Sequence, residues 1–185
     1  MIDVNDLRKG VTFIVDGDLF RVLEYHHHKP GRGNAVIRTK LRNVRTGSTY
    51  EKTFQSGDRV QDVRIETRPV QYLYHDEHVY YFMDTSTYDQ IGLNADMVGD
   101  AAQFLKESLE LSLEMYDAEP LDVELPTTVE LKIVQSDVGV RGDTATGANK
   151  LVTVETGYRL QVPLFVETGD TIRIDTRTGQ YLTRV

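Results

Sequence analysis

The chain has 185 residues, no cysteine and a formal net charge of -8. Without cysteine there are no disulfides, no thiolate nucleophile and no sulfur-ligated metal. The longest apolar runs fall far short of the ~20 residues a membrane helix needs, and the N-terminus MIDVNDLRKG lacks a charged-then-apolar signal pattern. A cytoplasmic, globular protein of one large or two to three small domains is expected, with no membrane association.

The average charge hides a division along the chain. Residues 1–64 carry 12 Lys and Arg against 8 Asp and Glu; residues 65–127 carry 2 against 14; residues 128–185 carry 7 against 7. These three compositional blocks are the expected domains. The first can approach a polyanion, and the second is repelled by one.

In the first block, short strands are expected over Thr12–Val15, Leu19–Tyr25, Ala35–Leu41 and Thr49–Phe54, with turns at Asp16-Gly17, Thr46-Gly47 and Ser56-Gly57. So many short strands in about sixty residues suggest a small barrel that closes its own edges. The stretch His26 to Asn43 is its longest excursion. Pro30, Gly31 and Gly33 punctuate a turn that puts Arg32 at the crown of a hairpin. On the exit strand Ala35, Ile37, Thr39 and Leu41 alternate with Arg38, Lys40 and Arg42, giving one apolar and one cationic face. Such a face running up to a glycine-flanked arginine suits RNA, while an ordinary solvated strand face would show the same charges.

The second block opens at Arg64 to Pro69, where the proline marks a break or a strand edge. Val70–Tyr74 and Val79–Met83 form a hairpin over His75 to His78. Leu109, Leu111, Leu113 and Met115 alternate with Glu110, Ser112 and Glu114, a strand period, which confines the helix to Met97–Leu105. Strands around one short helix suggest a barrel of the oligonucleotide-binding (OB) type. The third block is again all strand, over Val129–Val134, Leu151–Glu155, Arg159–Val162, Thr171–Asp175 and Tyr181–Arg184, with a polar loop from Ser136 to Lys150.

Catalytic chemistry finds no footing. Gly142 and Gly147 have the glycine spacing of a phosphate-binding loop, but Ala148-Asn149 stands where Lys-Ser should follow. His26 with His28, and His75 with His78, fall short of the three or four convergent ligands a metal site requires. No cofactor, metal or catalytic residue is expected.

Three separated motifs carry a family resemblance. Lys29-Pro30-Gly31-Arg32-Gly33-Asn34-Ala35, Leu41-Arg42-Asn43, Thr46-Gly47, Glu51-Lys52-Thr53-Phe54 and Ser56-Gly57 resemble the first domain of bacterial translation elongation factor P. Arg141-Gly142-Asp143-Thr144-Ala145-Thr146 and Asp175-Thr176-Arg177-Thr178-Gly179 resemble its C-terminal domain. So does the signature K-x-A-x(4)-G-x(2)-[LIV]-x-V-P-x(2)-[LIV]-x(2)-G, met by Lys150, Gly157, Leu160, Val162, Pro163, Val166 and Gly169, with Val152 in place of the alanine.

The resemblance implies an all-β protein with one short helix, built as three small barrels in an L-shaped arrangement: an SH3-like (KOW-like) domain over 1–64, an acidic OB-fold domain over 65–127 and a C-terminal OB-fold domain over 128–185. It implies a monomeric, non-enzymatic factor that binds the ribosome between the peptidyl and exit sites, positions the CCA end of peptidyl-tRNA and relieves stalls at consecutive prolines. Arg32 then stands at the tip that reaches the peptidyl-transferase centre, within the loop of Lys29, Pro30, Gly31, Gly33 and Asn34, and Arg38, Lys40 and Arg42 contact phosphates. Family members carry a modified lysine or a rhamnosylated arginine at the tip. Arg32 excludes lysine-specific chemistry and leaves two states, a bare arginine, which the rigid turn favours, or one modified by a glycosyltransferase partner. A free-standing RNA-binding barrel is the alternative, and it would need aromatic residues on the basic face. The tyrosines gather in the acidic block instead, at Tyr72, Tyr74, Tyr80, Tyr81 and Tyr88.

Overall fold

The computed structural model describes residues 1–138 and 148–185, so the Arg141 to Thr146 motif and the Gly142 to Gly147 spacing lie outside the described residues. It is mostly strand, in three antiparallel sheets. Two compact units are present: residues 1–67 with 114–122, and residues 68–113 with 123–185.

In the first unit, β1 (Ile2–Asp3), β2 (Thr12–Val15), β3 (Asp18–His28), β4 (Val36–Asn43), β5 (Thr49–Gln55) and β6 (Arg59–Asp62) form a six-stranded sheet in the order β1-β6-β2-β3-β4-β5. It curls around Val4, Leu7, Phe13, Val22, Ile37, Leu41, Phe54 and Val60. The alternation expected on β4 is present: Ile37, Thr39 and Leu41 are buried, and Arg38 and Arg42 are exposed. Thr39 tolerates burial because its hydroxyl donates to the Lys52 carbonyl at 2.8 Å. Asn43 also turns inward, and its Oδ1 accepts from Arg45 N at 3.0 Å and Thr46 N at 3.1 Å, which closes the Thr46-Gly47 turn. A second cluster, Leu19, Val44 and Leu121 with Ile14, Val63, Ile65 and Tyr116 against it, joins the hairpin of residues 114–122 to this sheet.

The remaining strands are β7 (Glu66–His75), β8 (Val79–Asp84), β9 (Gln90–Asn94), β10 (Glu110–Tyr116), β11 (Glu119–Glu124), β12 (Thr128–Ser136), β13 (Asn149–Val154), β14 (Arg159–Pro163), β15 (Thr171–Asp175) and β16 (Tyr181–Arg184), in sheets ordered β11-β10-β7-β8-β9 and β14-β13-β12-β15-β16. Two sequence expectations are corrected here. Pro69 lies inside β7 rather than breaking it; the ladder to β8 starts one residue later, at Val70 opposite Asp84, and the Pro69 carbonyl is used by Thr85 N at 3.2 Å. The helix begins at Ala95, not Met97: α1 (Ala95–Val98) ends after one turn, and a 3₁₀ segment (Gly99–Phe104) follows. Gly99 has φ +53, outside the right-handed helical region, and this stops the α-helix there. The 3₁₀ segment seats Phe104 in the core of the third sheet, edge-on to Tyr158 at 5.1 Å between ring centroids.

Asp175 and Gly179 show what the C-terminal motif does. The Asp175 carboxylate accepts from Arg177 N at 2.8 Å, Nε at 3.2 Å and a terminal nitrogen at 2.9 Å. Those bonds hold its pKa down at about 2. Gly179 has φ +71, and a Cβ there would collide with the Tyr158 hydroxyl, which donates to the Gly179 carbonyl at 2.9 Å. Gly179→Ala is therefore expected to lower stability by about 2–4 kcal/mol, read as a fall in the urea midpoint. Because the Asp175 pKa is depressed from the ordinary ~3.9, its contribution is present above about pH 4 and is lost as pH falls toward 2. Asp175→Asn should lower stability at pH 7 and flatten the acid loss between those limits, measured by unfolding midpoints across pH.

Candidate nucleic-acid interface

The hairpin of β3 and β4 carries every residue of the candidate site. Its register runs from Phe20 opposite Asn43 to His28 opposite Val36, and β5 pairs along the other side of β4 up to Gln55 opposite Val36. The arms are thus laddered up to the start of the loop at Lys29, and Ser56 N donates to the Ala35 carbonyl at 2.9 Å to pin its exit. Of the two loop glycines only Gly33 uses a positive φ, +115, with the Pro30 ring just below it. Arg32, with Lys29, Gly31, Gly33 and Asn34, is exposed and Pro30 half-buried; Arg32 makes no hydrogen bond or ion pair among the described residues.

The outer face is less uniformly cationic than β4 alone suggests. Directly opposite residues share a face, so His26, Arg38 and Thr53 form one row and Glu24, Lys40 and Glu51 the next. Lys40 Nζ lies 3.5 Å from Glu24 Oε1, and His26 Nε2 lies 3.9 Å from Glu24 Oε2. These groups line an open groove of about 510 Å³. Arg38 and Arg42 have no ion-pair partner among the described residues, whereas Lys40 has the Glu24 carboxylate beside it. Strand pairing, invisible on one strand, put the carboxylates there.

In the acidic block, His75, Tyr72 and Tyr80 have structural contacts, and the turn between His75 and His78 is built by a carboxylate. Asp76 accepts from His78 N and Val79 N, each at 2.8 Å, which builds the β7–β8 turn and holds the carboxyl below its ordinary range. Tyr72 is buried, its hydroxyl 2.6 Å from His75 Nδ1, and burial pushes its pKa up to about 12. His75 stacks on Tyr80 with ring centroids 4.6 Å apart. Among the described residues no three His, Asp or Glu converge as metal ligands, and no helix is long and apolar enough to cross a membrane.

Three family models match the chain in order: the elongation factor P KOW-like domain over residues 3–60, its OB domain over 65–123 and its C-terminal domain over 129–184. The elongation factor P of Thermoanaerobacter sp. (strain X514) is 54% identical over 185 residues, and that of Moorella thermoacetica 50% identical over 184, each with all of both chains covered. Translation initiation factor 5A from Methanococcus jannaschii has a related fold, with a TM-score of 0.56 over 66% of this chain and 92% of that one at 20% identity. Full-length identity and three ordered domain matches converge on one conclusion: the chain belongs to the elongation factor P family, a family of non-enzymatic translation elongation factors.

Proposed function

We propose that this factor works in the cytoplasm, binds the ribosome between the peptidyl and exit sites, and uses its hairpin tip to hold the CCA end of peptidyl-tRNA while a peptide bond forms between consecutive prolines. The observation that carries the reading is Arg32, exposed and without a partner among the described residues, at the end of a ribbon laddered up to His28 and Val36. Residues 1–64 form the tip-bearing domain in this reading, 65–127 an acidic spacer and 128–185 the C-terminal domain. Proline is a constrained nucleophile and donor, so its amine and the ester carbon rarely meet in line. A cation that restrains the CCA end recovers part of that orientational loss without donating a proton. The ribosome supplies the catalysis.

Arg32 acts as the bare guanidinium in this proposal, because the Pro30 to Gly33 loop already preorganises it. The intact mass of the protein from its native host tests that point, and an added deoxyhexose would assign the tip to a glycosyltransferase instead. Arg32→Ala should shift stability by no more than about 0.5 kcal/mol, since the side chain is exposed, and should abolish relief of stalling on a three-proline reporter. Full relief by the folded variant would remove the tip from the mechanism.

Arg38 and Arg42, rather than Lys40, carry the phosphate contacts. Arg38→Gln and Arg42→Gln should each flatten the logarithmic salt dependence of ribosome binding by roughly 0.7–0.9, and Lys40→Gln by less. Glu24→Gln should tighten binding by releasing Lys40. An unchanged slope in the Arg38→Gln, Arg42→Gln double variant would make this face ordinary solvated surface.

A further inference from the structure

The long hairpin is clamped at its root by a segment more than seventy residues away in sequence. Leu19, one residue into β3, and Val44, one residue beyond β4, are tied by Val44 N donating to the Leu19 carbonyl at 2.9 Å, and both pack on buried Leu121 of β11. Ion pairs flank this contact on each arm. Arg45 meets Glu119 through two parallel bonds, Nε to Oε1 at 2.9 Å and a terminal nitrogen to Oε2 at 3.0 Å, and also donates to the Gly17 carbonyl at 3.3 Å. Arg21 bonds Glu114 and lies 3.7 Å from Asp122.

We infer that the β10–β11 hairpin is a brace that aims the tip, and that Arg45, with Arg21, is a positioning residue acting through the root of β3 and β4. The inference rests on the proposed role of the tip. Single half-exposed ion pairs contribute little to stability, but a bidentate arginine–carboxylate pair fixes a relative orientation as well as a distance. Here one such pair and a second arginine grip both arms of one ribbon. Leverage makes that orientation matter. At a rise of about 3.3 Å per residue, the tip lies on the order of 25 Å beyond Arg21, so a tilt of roughly 5° at the root displaces it by about 2 Å. A displacement of that size degrades a reaction that depends on alignment. The brace leaves Arg32 chemically untouched and determines where it points.

The absence of native cysteine permits a direct test on the full chain. Spin labels on Asn34→Cys and Ala118→Cys, both exposed positions, report the spread of tip-to-brace distances by pulsed electron resonance. The parent should give a narrow distribution, and Arg45→Glu a broad one. The swap Arg45→Glu with Glu119→Arg should restore the narrow one. In a reconstituted three-proline translation assay at saturating factor, Arg45→Glu should lower the rate of stall relief on the order of tenfold, and the swap should recover it; Arg45→Gln, which keeps most of the bulk, should behave like Arg45→Glu. Narrow distributions and native saturating rates in both single variants would overturn the brace. So would a rate loss that the swap leaves unrepaired, which would make Arg45 an RNA contact. Unlabelled wild type and Arg32→Ala run alongside: a wild type that relieves no stall defeats the proposed function, while the distance measurement still decides whether the brace exists.

Discussion

A two-stranded ribbon in water is only marginally stable and bends easily, so a lone arginine at its end can be held in place only from the root and the flanks. This constraint organises the first unit. β4 is a central strand, paired with β3 on one side and β5 on the other over almost its whole length. Its inward residues Ile37 and Leu41 are anchored in the core beneath. Backbone ladders resist splaying and the core resists rocking, and the loop beyond Val36 is short enough for Pro30 and Gly33 to stiffen it locally.

The same pairing decides the electrostatics of the outer face. β3 has a bulge between Val22 and Glu24, and the extra residue lets Val22 and Tyr25 both turn toward the core while Glu24 faces outward beside Lys40. A regular strand would have put Val22 and Glu24 on one side. The bulge therefore satisfies packing on one face and partly neutralises the other, leaving Arg38 and Arg42 as separated cations with Lys40 compensated between them. At 3.5 Å in solvent the Glu24 to Lys40 attraction is modest and screened by salt, yet a local carboxylate is enough to make that lysine a poorer phosphate partner than its neighbours.

What could be read from the chain, and what could not, follows from the range of each interaction. The β4 alternation and the turn at Gly33 depend on neighbouring residues, so period and turn chemistry revealed them. The helix was legible in kind but not in extent, because its end depends on the backbone angles of Gly99. Pro69 reads as a breaker by its own chemistry, and only the start of the β8 ladder one residue later makes it harmless within a strand. Glu24 and Glu51 reach the cationic face through pairing register, and Phe104 reaches the third sheet through a tertiary contact. No window of sequence contains either. The turn that carries Arg32 was legible because Pro30 and Gly33 place their conformational demands within four residues, although only Gly33 of the two glycines uses a positive φ.

The acidic surplus of residues 65–127 has a physical use that composition alone does not disclose. Some of its carboxylates close turns: Asp84, like Asp76, accepts from two backbone amides downstream, at 2.7 and 3.0 Å. Three others, Glu114, Glu119 and Asp122, belong to the acidic block by sequence but to the first unit by contact, where they meet Arg21 and Arg45 of the basic block. The two arginines so engaged lie at the hairpin root, where Arg42, opposite Arg21, has no ion-pair partner among the described residues. Those nearer the tip, Arg32 and Arg38, stay without an ion-pair partner among the described residues. Charge sorting along the chain thus becomes contact between the blocks: acidic residues of 114–122 meet Arg21 and Arg45 at the root of the ribbon, while farther along it Lys40 has only Glu24 beside it.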